Sequence, residues 1–289
     1  TPTIDGDTVY VLGTRGDLAA LSAQDGAERW RMNLTEAFGS TMPHWGFATS
    51  ALVDGDQLII EGGGPEGKSY AALDKKTGDV KWAHGDGGRQ PGYNSALVVD
   101  MNGTRCYAYV AGEKLTCLDP TGAEVWTYPW PRGETHAMPL FVAPDKIFAS
   151  GAEGVGATLV KITEEGDAAK AEEVWQTRFM RNHFSSSVVK DGYIYGFDNA
   201  TLKCISVTSG EMAWAKRGLG KGSLILADGH LLVLSDRGEL LLVKATPEYF
   251  QQKGSVQALE GKSWTSPTLS HGRLYLRNHT EIVSYDLAD

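Results

Sequence analysis

Short apolar segments alternate with small polar turns along the whole chain. In the clearest copies an apolar segment, a turn with Asp-Gly or a similar pair, and a second apolar segment follow one another, at residues 1–10, 50–59, 186–195 and 266–275. Apolar runs of this length bounded by Gly, Asp and Ser are typical of strands, and Asp-Gly between them favours a tight hairpin. The pattern predicts a chain made mainly of antiparallel hairpins.

A second phrase of the type Leu-Asp-x-x-Thr-Gly-x-x-x-Trp follows the first, with variations, in four copies, and the fourth copy keeps only its end. The sixth copy has the aromatic residues of segment 245–250 in place of Trp. The apolar residues that open successive copies are Leu21, Leu73, Leu118, Ile162, Ile205, Val243 and Tyr285. Their spacings of 38 to 52 residues are near the roughly 40 to 50 residues of a four-stranded propeller blade. The sequence therefore predicts an all-β fold, a β-propeller of four-stranded antiparallel blades (strands A to D) in one domain, residues 1–289.

The two ends of the chain depart from a whole number of repeats. Seven blades are visible, and the last has strands A, B and C but lacks its outer strand D, while the chain begins directly at a strand A. Propellers avoid exposed sheet edges. We therefore expect the chain to be N-terminally incomplete and the full-length protein to have eight blades.

The Trp residues that close the second phrase are expected to fill the space between blades, with the ring N–H seeking a partner. These structural residues are Trp30, Trp82, Trp126, Trp175 and Trp214. Gly in the turn before each Trp supplies a positive φ. In the fourth copy, the acidic stretch 163–173 is interpreted as an enlarged, solvated connection between strands C and D.

Composition narrows the classes of partner. The net charge of -9 is spread along the chain without a Lys/Arg-rich run, so nucleic acid is an unexpected partner. No stretch reaches the roughly 18 apolar residues of a transmembrane helix. Cys106, Cys117 and Cys204 are interpreted as small buried side chains rather than a disulfide or a metal set.

The Leu-Asp-x-x-Thr-Gly-x-x-x-Trp phrase resembles the PQQ-like repeat of the quinoprotein superfamily, in particular the bacterial PQQ-binding-like β-propeller repeat proteins. The resemblance covers the whole chain and extends to His44-Trp45-Gly46, to Arg181-Asn182-His183 and to residues 218–223, 245–248 and 263–267. It implies an exported, periplasmic protein. Some members of the superfamily are dehydrogenases that hold PQQ and Ca²⁺, whereas one relative is a scaffold in outer-membrane protein assembly.

Candidate binding residues lie just upstream of each strand A, where the connection from the previous strand D reaches the mouth of a propeller funnel. They are His44, Trp45, Tyr93, Asn94, His136, Asn182, His183, Lys221 and Trp264. Each His alone could simply bond a loop. Because His, Asn and aromatic residues recur at one place in successive repeats, we predict that this face binds a protein, peptide or glycan partner.

No catalytic triad or metal motif is evident, so no catalytic residue, metal or cofactor is expected. The alternative is a dehydrogenase dependent on PQQ and Ca²⁺, or the docking domain of a larger exported oxidoreductase. Asn94, Asn182, Trp45 or Trp264 would then contribute to the site, but Glu134 is the one acidic residue beside these loops. A metal site from His44, His136 and His183 is conceivable.

One further motif matches the sequence pattern of a nucleotide-binding loop but lacks the expected structural context. Residues 62–69 read Gly-Gly-Gly-Pro-Glu-Gly-Lys-Ser, the form of a phosphate-binding loop. That chemistry requires a helix directly behind the loop. Because a strand pattern follows, we expect a glycine-rich hairpin instead.

Overall fold

The computed structural model describes residues 1–85, 90–101, 103–133, 135–152, 154–165 and 168–287. These residues form seven sheets, of which the first six have four strands in chain order and the seventh has three. Sheet 1 contains β1 (Thr3–Asp5), β2 (Thr8–Leu12), β3 (Asp17–Ser22) and β4 (Glu28–Asn33), and sheet 2 contains β5 (Leu52–Asp54), β6 (Gln57–Gly64), β7 (Lys68–Asp74) and β8 (Val80–His84). Sheet 3 contains β9 (Leu97–Met101), β10 (Thr104–Ala111), β11 (Lys114–Leu118) and β12 (Glu124–Pro129), and sheet 4 contains β13 (Leu140–Val142), β14 (Lys146–Gly151), β15 (Gly156–Glu165) and β16 (Ala168–Thr177).

The last three sheets follow the same plan. Sheet 5 contains β17 (Val188–Lys190), β18 (Tyr193–Asp198), β19 (Thr201–Ser206) and β20 (Met212–Lys216), and sheet 6 contains β21 (Ser223–Ala227), β22 (His230–Leu234), β23 (Glu239–Lys244) and β24 (Gln251–Gln257). Sheet 7 contains β25 (Thr268–Ser270), β26 (Arg273–Arg277) and β27 (Ile282–Asp286). The predicted fold class, antiparallel propeller blades with a three-stranded last copy, is confirmed.

The chain divides into two compact units. Unit 1 comprises Thr1–Lys146 and Lys161–Glu172, and unit 2 comprises Ile147–Val160 and Glu173–Asp289. Sheets 1 to 3 lie in unit 1 and sheets 5 to 7 in unit 2. The prediction of a single domain stays a prediction, as does the prediction of an eighth blade.

The Asp-Gly turns explain why the hairpins form where the sequence predicted them. Asp191 and Gly192, which join β17 to β18, both have positive φ, 49° and 78°. Two positive φ values define the type I′ turn, whose twist matches that of the strands on either side. Strand register follows from the turn, with Lys190 paired to Tyr193 and Val188 to Tyr195.

Apolar side chains from successive sheets form the core. In unit 1, Leu18 from sheet 1 belongs to a buried cluster with Leu58 and Leu73 from sheet 2. In unit 2, Leu231 and Val243 of sheet 6 are buried in a cluster with residues of sheet 5. Burial of each such side chain stabilises the fold by about 2 kcal/mol, so sheets are held to their neighbours chiefly by apolar contact.

Four of the five repeat Trp residues donate a hydrogen bond to a backbone carbonyl of the following sheet. The Nε1 partners are Lys75 O for Trp30 (3.1 Å), Pro120 O for Trp82 (3.0 Å), Val207 O for Trp175 (2.7 Å) and Thr246 O for Trp214 (2.8 Å). The fifth residue, Trp126, is buried. The ring N–H thus has the partner that its burial requires.

The acidic stretch 163–173 differs from the expectation of an enlarged connection. Residues 163–165 belong to β15 and residues 168–173 belong to β16, while residues 166 and 167 lie outside the described residues. Alternate residues of an antiparallel pair can face water, so charged side chains do not prevent a strand. The described part of the stretch therefore lengthens the two strands.

The interpretation of the cysteines was wrong for two of the three. Cys106 on β10 and Cys117 on β11 form a disulfide with a Cα–Cα distance of 5.9 Å. In the strand register Cys117 pairs with Ala108, so Cys106 is its diagonal neighbour, two residues further along the same face. Cys204 is a buried free thiol, as expected.

The sequence predicted a hairpin, and no helix, at residues 62–69, and it predicted no transmembrane helix. Residues 62–69 span the end of β6, a turn and the start of β7, which confirms the glycine-rich hairpin. The short helix α1 (Leu34–Phe38) begins at Asn33, whose side chain accepts a hydrogen bond from the Thr35 N–H. Within the described part of the chain, no helix has the length and apolar character needed to cross a membrane.

Candidate interaction site

All nine predicted binding residues lie on connections between the fourth strand of one sheet and the first strand of the next, here called D–A linkers. In unit 1 these are linkers 34–51, 85–96 and 130–139, and they carry His44, Trp45, Tyr93, Asn94 and His136. In unit 2 the linkers are 178–187, 217–222 and 258–267, and they carry Asn182, His183, Lys221 and Trp264. Glu134 lies outside the described residues.

Trp45 projects from a tightly fixed turn in unit 1. The Gly46 N–H donates to Pro43 O at 2.9 Å, and the Phe47 N–H donates to Thr14 O at 2.9 Å, with the Phe47 ring buried in the core. Gly46 has φ +79°, and a Cβ there would lie 2.8 Å from Thr14 O. The turn therefore requires glycine and leaves Trp45 with 70% of its surface exposed.

Neighbouring linkers support Trp45. Its backbone N–H donates to the Tyr93 hydroxyl at 3.0 Å. The His44 ring meets the Trp45 ring edge-on at 4.6 Å between centroids, and the Tyr93 ring lies 5.0 Å from the His136 ring. The structure thus brings four of the five unit 1 residues into one connected group.

The two predicted Asn residues occupy equivalent places in their repeats and are buried. In unit 1, Asn94 Nδ2 donates to Val110 O at 2.7 Å, and its Oδ1 accepts from the Val110 N–H at 3.1 Å. In unit 2, Asn182 Nδ2 donates to Phe197 O at 3.0 Å, and its Oδ1 accepts from the Ser187 hydroxyl at 2.9 Å. Both amides fasten a linker to a strand of the sheet.

The unit 2 residues form an aromatic group with two lysines. The Phe184 and Trp264 rings lie 4.5 Å apart, and His183 contacts Phe184 edge-on at 4.2 Å. Lys221 Nζ lies 5.5 Å from the Phe184 centroid, while Lys262 Nζ lies 3.2 Å from the Trp264 centroid. Phe184 and Lys262 were not among the predicted residues, although each is close in sequence to one that was.

An ion triad centred on the buried Asp198 holds the start of the 178–187 linker. Asp198 accepts hydrogen bonds from Arg181 Nε at 2.6 Å and from Lys203 Nζ. Burial alone would raise the pKa of Asp198, but the hydrogen bonds and charges of Arg181 and Lys203 outweigh it and lower that pKa. The carboxylate stays ionised and fixes the linker beside β18.

Glu61 on β6 is a buried carboxyl beside the 85–96 linker. Burial raises its pKa to about 8, although the Gly92 N–H donates to Oε1 at 2.6 Å. Oε2 and the hydroxyl of Tyr70, its partner in the strand register, are buried without a hydrogen bond in the described residues. Sequence reasoning missed Glu61, which supports the linker carrying Tyr93.

A polar cleft of about 1060 Å³ opens in unit 1 beside the 85–96 linker. Tyr109 lies in its wall, and burial raises the pKa of this hydroxyl, with Glu124 and Glu61 adding to the effect. Other lining residues include Ser69, His84, Glu113, Lys114, Thr116, Glu124 and Arg132. The cleft therefore offers hydroxyls and charges of both signs.

The described residues offer no donor set for Ca²⁺ or a transition metal. No three His, Cys, Asp or Glu side chains among them are gathered as a metal site requires. The oxygens of Asn94 and Asn182 already accept hydrogen bonds within their own units. The expectation that no cofactor is bound stays a prediction.

The repeated four-stranded sheets and the Trp contacts between them define a propeller of the PQQ-like repeat class. The family model described as "Outer membrane protein assembly factor BamB" matches residues 1–216, so the chain belongs to this family. No curated protein sequence matches the chain.

Solved structures show the same fold at low sequence identity. BamB from Moraxella catarrhalis is similar with a TM-score of 0.70 and 18% identity, over 96% of this chain and 79% of that one. Quinohemoprotein alcohol dehydrogenase from Comamonas testosteroni is similar with a TM-score of 0.60 and 13% identity, over 100% of this chain and 65% of that one. The computationally designed Ika8 protein is similar with a TM-score of 0.51 and 10% identity, over 95% of this chain and 91% of that one.

Proposed function

We propose that the chain is an exported, non-catalytic scaffold that binds a protein partner through its D–A linkers during the assembly of outer-membrane proteins. The observation that carries the proposal is Trp45, a large aromatic side chain 70% exposed on a turn whose backbone is bonded on both sides. Trp is enriched among the residues that dominate protein–protein binding energy, and a preformed turn reduces the entropic cost of binding.

Two further observations support this function. The family of the chain is described as an outer-membrane protein assembly factor. The Cys106–Cys117 disulfide favours an oxidising compartment such as the periplasm, because cytosolic thiols are kept reduced. The bonds from Trp30, Trp82, Trp175 and Trp214 correspond to tryptophan docking between blades and would keep the linkers in a rigid arrangement.

The test is genetic replacement in the organism that encodes the chain. Deletion should lower the amount of folded outer-membrane β-barrel protein, measured by its heat-dependent mobility in gels. Trp45→Ala should reproduce much of that loss at normal protein level. Tyr249→Ala is the matched control, because Tyr249 is 59% exposed but lies outside the D–A linkers. Normal β-barrel assembly in the deletion strain would refute the proposed function.

The dehydrogenase alternative has its own experiment. PQQ with Ca²⁺ is titrated by calorimetry into the protein and into a Trp45→Ala, His183→Ala double variant. We expect no binding to either. Tight binding to the wild type that disappears in the variant would favour the dehydrogenase or a docking domain of a larger oxidoreductase. A glycan partner also stays a prediction, for which the polar cleft of unit 1 is the place to look.

A further inference from the structure

The aromatic group of unit 2 is a continuous surface made by three successive D–A linkers. We call it the aromatic–lysine surface and define it by His183, Phe184, Lys221, Lys262 and Trp264. Each ring contacts the next at 4.2 to 4.5 Å between centroids, and each of the last two rings carries a lysine ammonium over its face. Aromatic rings and cations on a loop surface are typical of binding sites.

The backbone that carries Trp264 is anchored on both sides of this exposed residue. Ser263, directly before Trp264, is fully buried, and its N–H donates to Asp236 O at 2.9 Å. Directly after Trp264, the Thr265 carbonyl accepts from the Ser223 hydroxyl at 3.1 Å. Trp264 is nevertheless 42% exposed. The ring is held in place before a partner arrives, so little ordering entropy is lost on binding.

The charges of the surface favour an acidic partner. In the described part of unit 2, Lys190, Lys203 and Arg273 each have a carboxylate within ion-pair distance, whereas Lys221 and Lys262 have none. Both ammonium groups instead lie over aromatic rings, a favourable cation–π contact. A carboxylate from outside can therefore approach them without displacing an internal ion pair.

Two acidic residues near the surface, Asp236 and Glu281, form no ion pair with Lys221 or Lys262 in the described residues. The Asp236 carboxyl lies directly beneath Gly220, where a Cβ would collide with it. Glu281 accepts hydrogen bonds from the Glu260 N–H and from Asn278 Nδ2. Arg277 and His279 line a small cleft with Lys262 and Trp264. In a chain of net charge -9, this surface is one where an acidic partner meets attraction rather than repulsion.

We infer that the aromatic–lysine surface binds an acidic segment of a partner protein, with an apolar side chain against Phe184 and Trp264 and carboxylates at Lys221 and Lys262. This inference rests on the proposed function only in taking the partner to be a protein. Trp264 and the two lysines then decide which partner segment is accepted, because a basic segment would meet the ammonium groups first.

The experiment uses short fluorescein-labelled peptides and the whole chain, with fluorescence anisotropy as the readout. One peptide alternates Asp and Glu with Phe, and the second replaces each acidic residue by Lys. The acidic peptide should bind, the basic peptide should not, and binding should weaken as salt rises. The Lys221→Gln, Lys262→Gln double variant and the Trp264→Ala variant should each bind about tenfold more weakly.

A second lysine pair in the same unit gives the matched control. Lys244 and Lys253 are exposed but lie on β23 and β24 away from the linkers, so Lys244→Gln with Lys253→Gln should leave binding unchanged. Equal binding of both peptides, or an equal loss in this control, would overturn the inference. If the wild type supports β-barrel assembly but binds no acidic peptide, the inference fails and the proposed function stands. If deletion leaves assembly normal, the proposed function fails whatever the peptides do.

Discussion

The ring of Trp82 lies against Gly122 of the following sheet so closely that a Cβ at residue 122 would come within 2.6 Å of the indole. Gly122 also has φ +87°. Two independent demands, the left-handed backbone and the space for the ring, therefore fall on one residue. We predict that Gly122→Ala lowers the free energy of unfolding by about 3 kcal/mol, measured by urea denaturation.

Gly26 provides the control for this prediction. It occupies the same turn of sheet 1, has φ +73°, and has no atom within 4 Å of its would-be Cβ. Gly26→Ala should therefore show only the backbone cost, about 1 kcal/mol. If the two variants lose the same stability, the contact with Trp82 does not explain the glycine.

The pKa of Glu61 predicts how stability depends on pH. Burial raises this pKa to about 8 in the folded protein, from an ordinary value of 4.5. Between these two pH values the folded state holds a proton that the unfolded state has released. The contribution of Glu61 to the free energy of unfolding is therefore complete below about pH 4.5 and is lost as pH rises through about 8. Glu61→Gln should remove this part of the pH dependence and stabilise the protein above pH 8 by several kcal/mol.

Urea midpoints measured from acid to alkaline pH check the Glu61 prediction. Glu211→Gln is the control for removal of a surface charge, since Glu211 is exposed just after a turn. A Glu61→Gln profile parallel to that of the wild type would show that Glu61 is ionised in the folded state.

The Cys106–Cys117 disulfide closes a short loop and should stabilise the fold. For a separation of 11 residues the loop-closure entropy predicts a contribution of about 3 kcal/mol. The Cys106→Ala, Cys117→Ala double variant should lose that stability, and reductant should have no further effect on it. Thiol titration of the unfolded wild type should find one reactive thiol, Cys204, before reduction and all three after it.

Neighbouring residues Asn94 and Tyr93 should have separable roles. Asn94→Ala removes both hydrogen bonds to Val110 in a buried place and should cost about 2 to 3 kcal/mol of stability. Tyr93→Phe removes only the hydroxyl that holds the Trp45 N–H, so it should weaken partner binding with a stability change below about 1 kcal/mol. Thermal unfolding and partner co-purification together distinguish the two outcomes.

The sequence predicted those features that depend on a few adjacent residues. The Asp191-Gly192 turn and the Trp30 contact each follow from a short phrase, because backbone conformation and ring size are local properties. The Cys106–Cys117 bond depends on the register between two strands, which the phrase does not contain. Glu61 lies in a glycine-rich strand, where its burial is decided by a linker some 30 residues away.

The same limit applies to the candidate site. The nine predicted residues do lie on D–A linkers, because the repeat itself fixes where linkers occur. Phe184 was missed because its place in the site depends on its contact with Trp264, which lies on a linker distant in sequence. A usable signal was present in the sequence: Phe184 and Trp264 are each adjacent to a small polar residue that is buried, Ser185 and Ser263 respectively.

The bonds from four of the repeat Trp residues to the following turn bear on how such a chain can evolve. A repeat carries both halves of the contact, an indole donor at its end and a carbonyl with a glycine in its own turn. A duplicated repeat therefore arrives with a matching donor for its successor and a matching acceptor for its predecessor. Genes of this kind can gain or lose whole repeats without inventing a new interface, because compatibility is inherited with each copy.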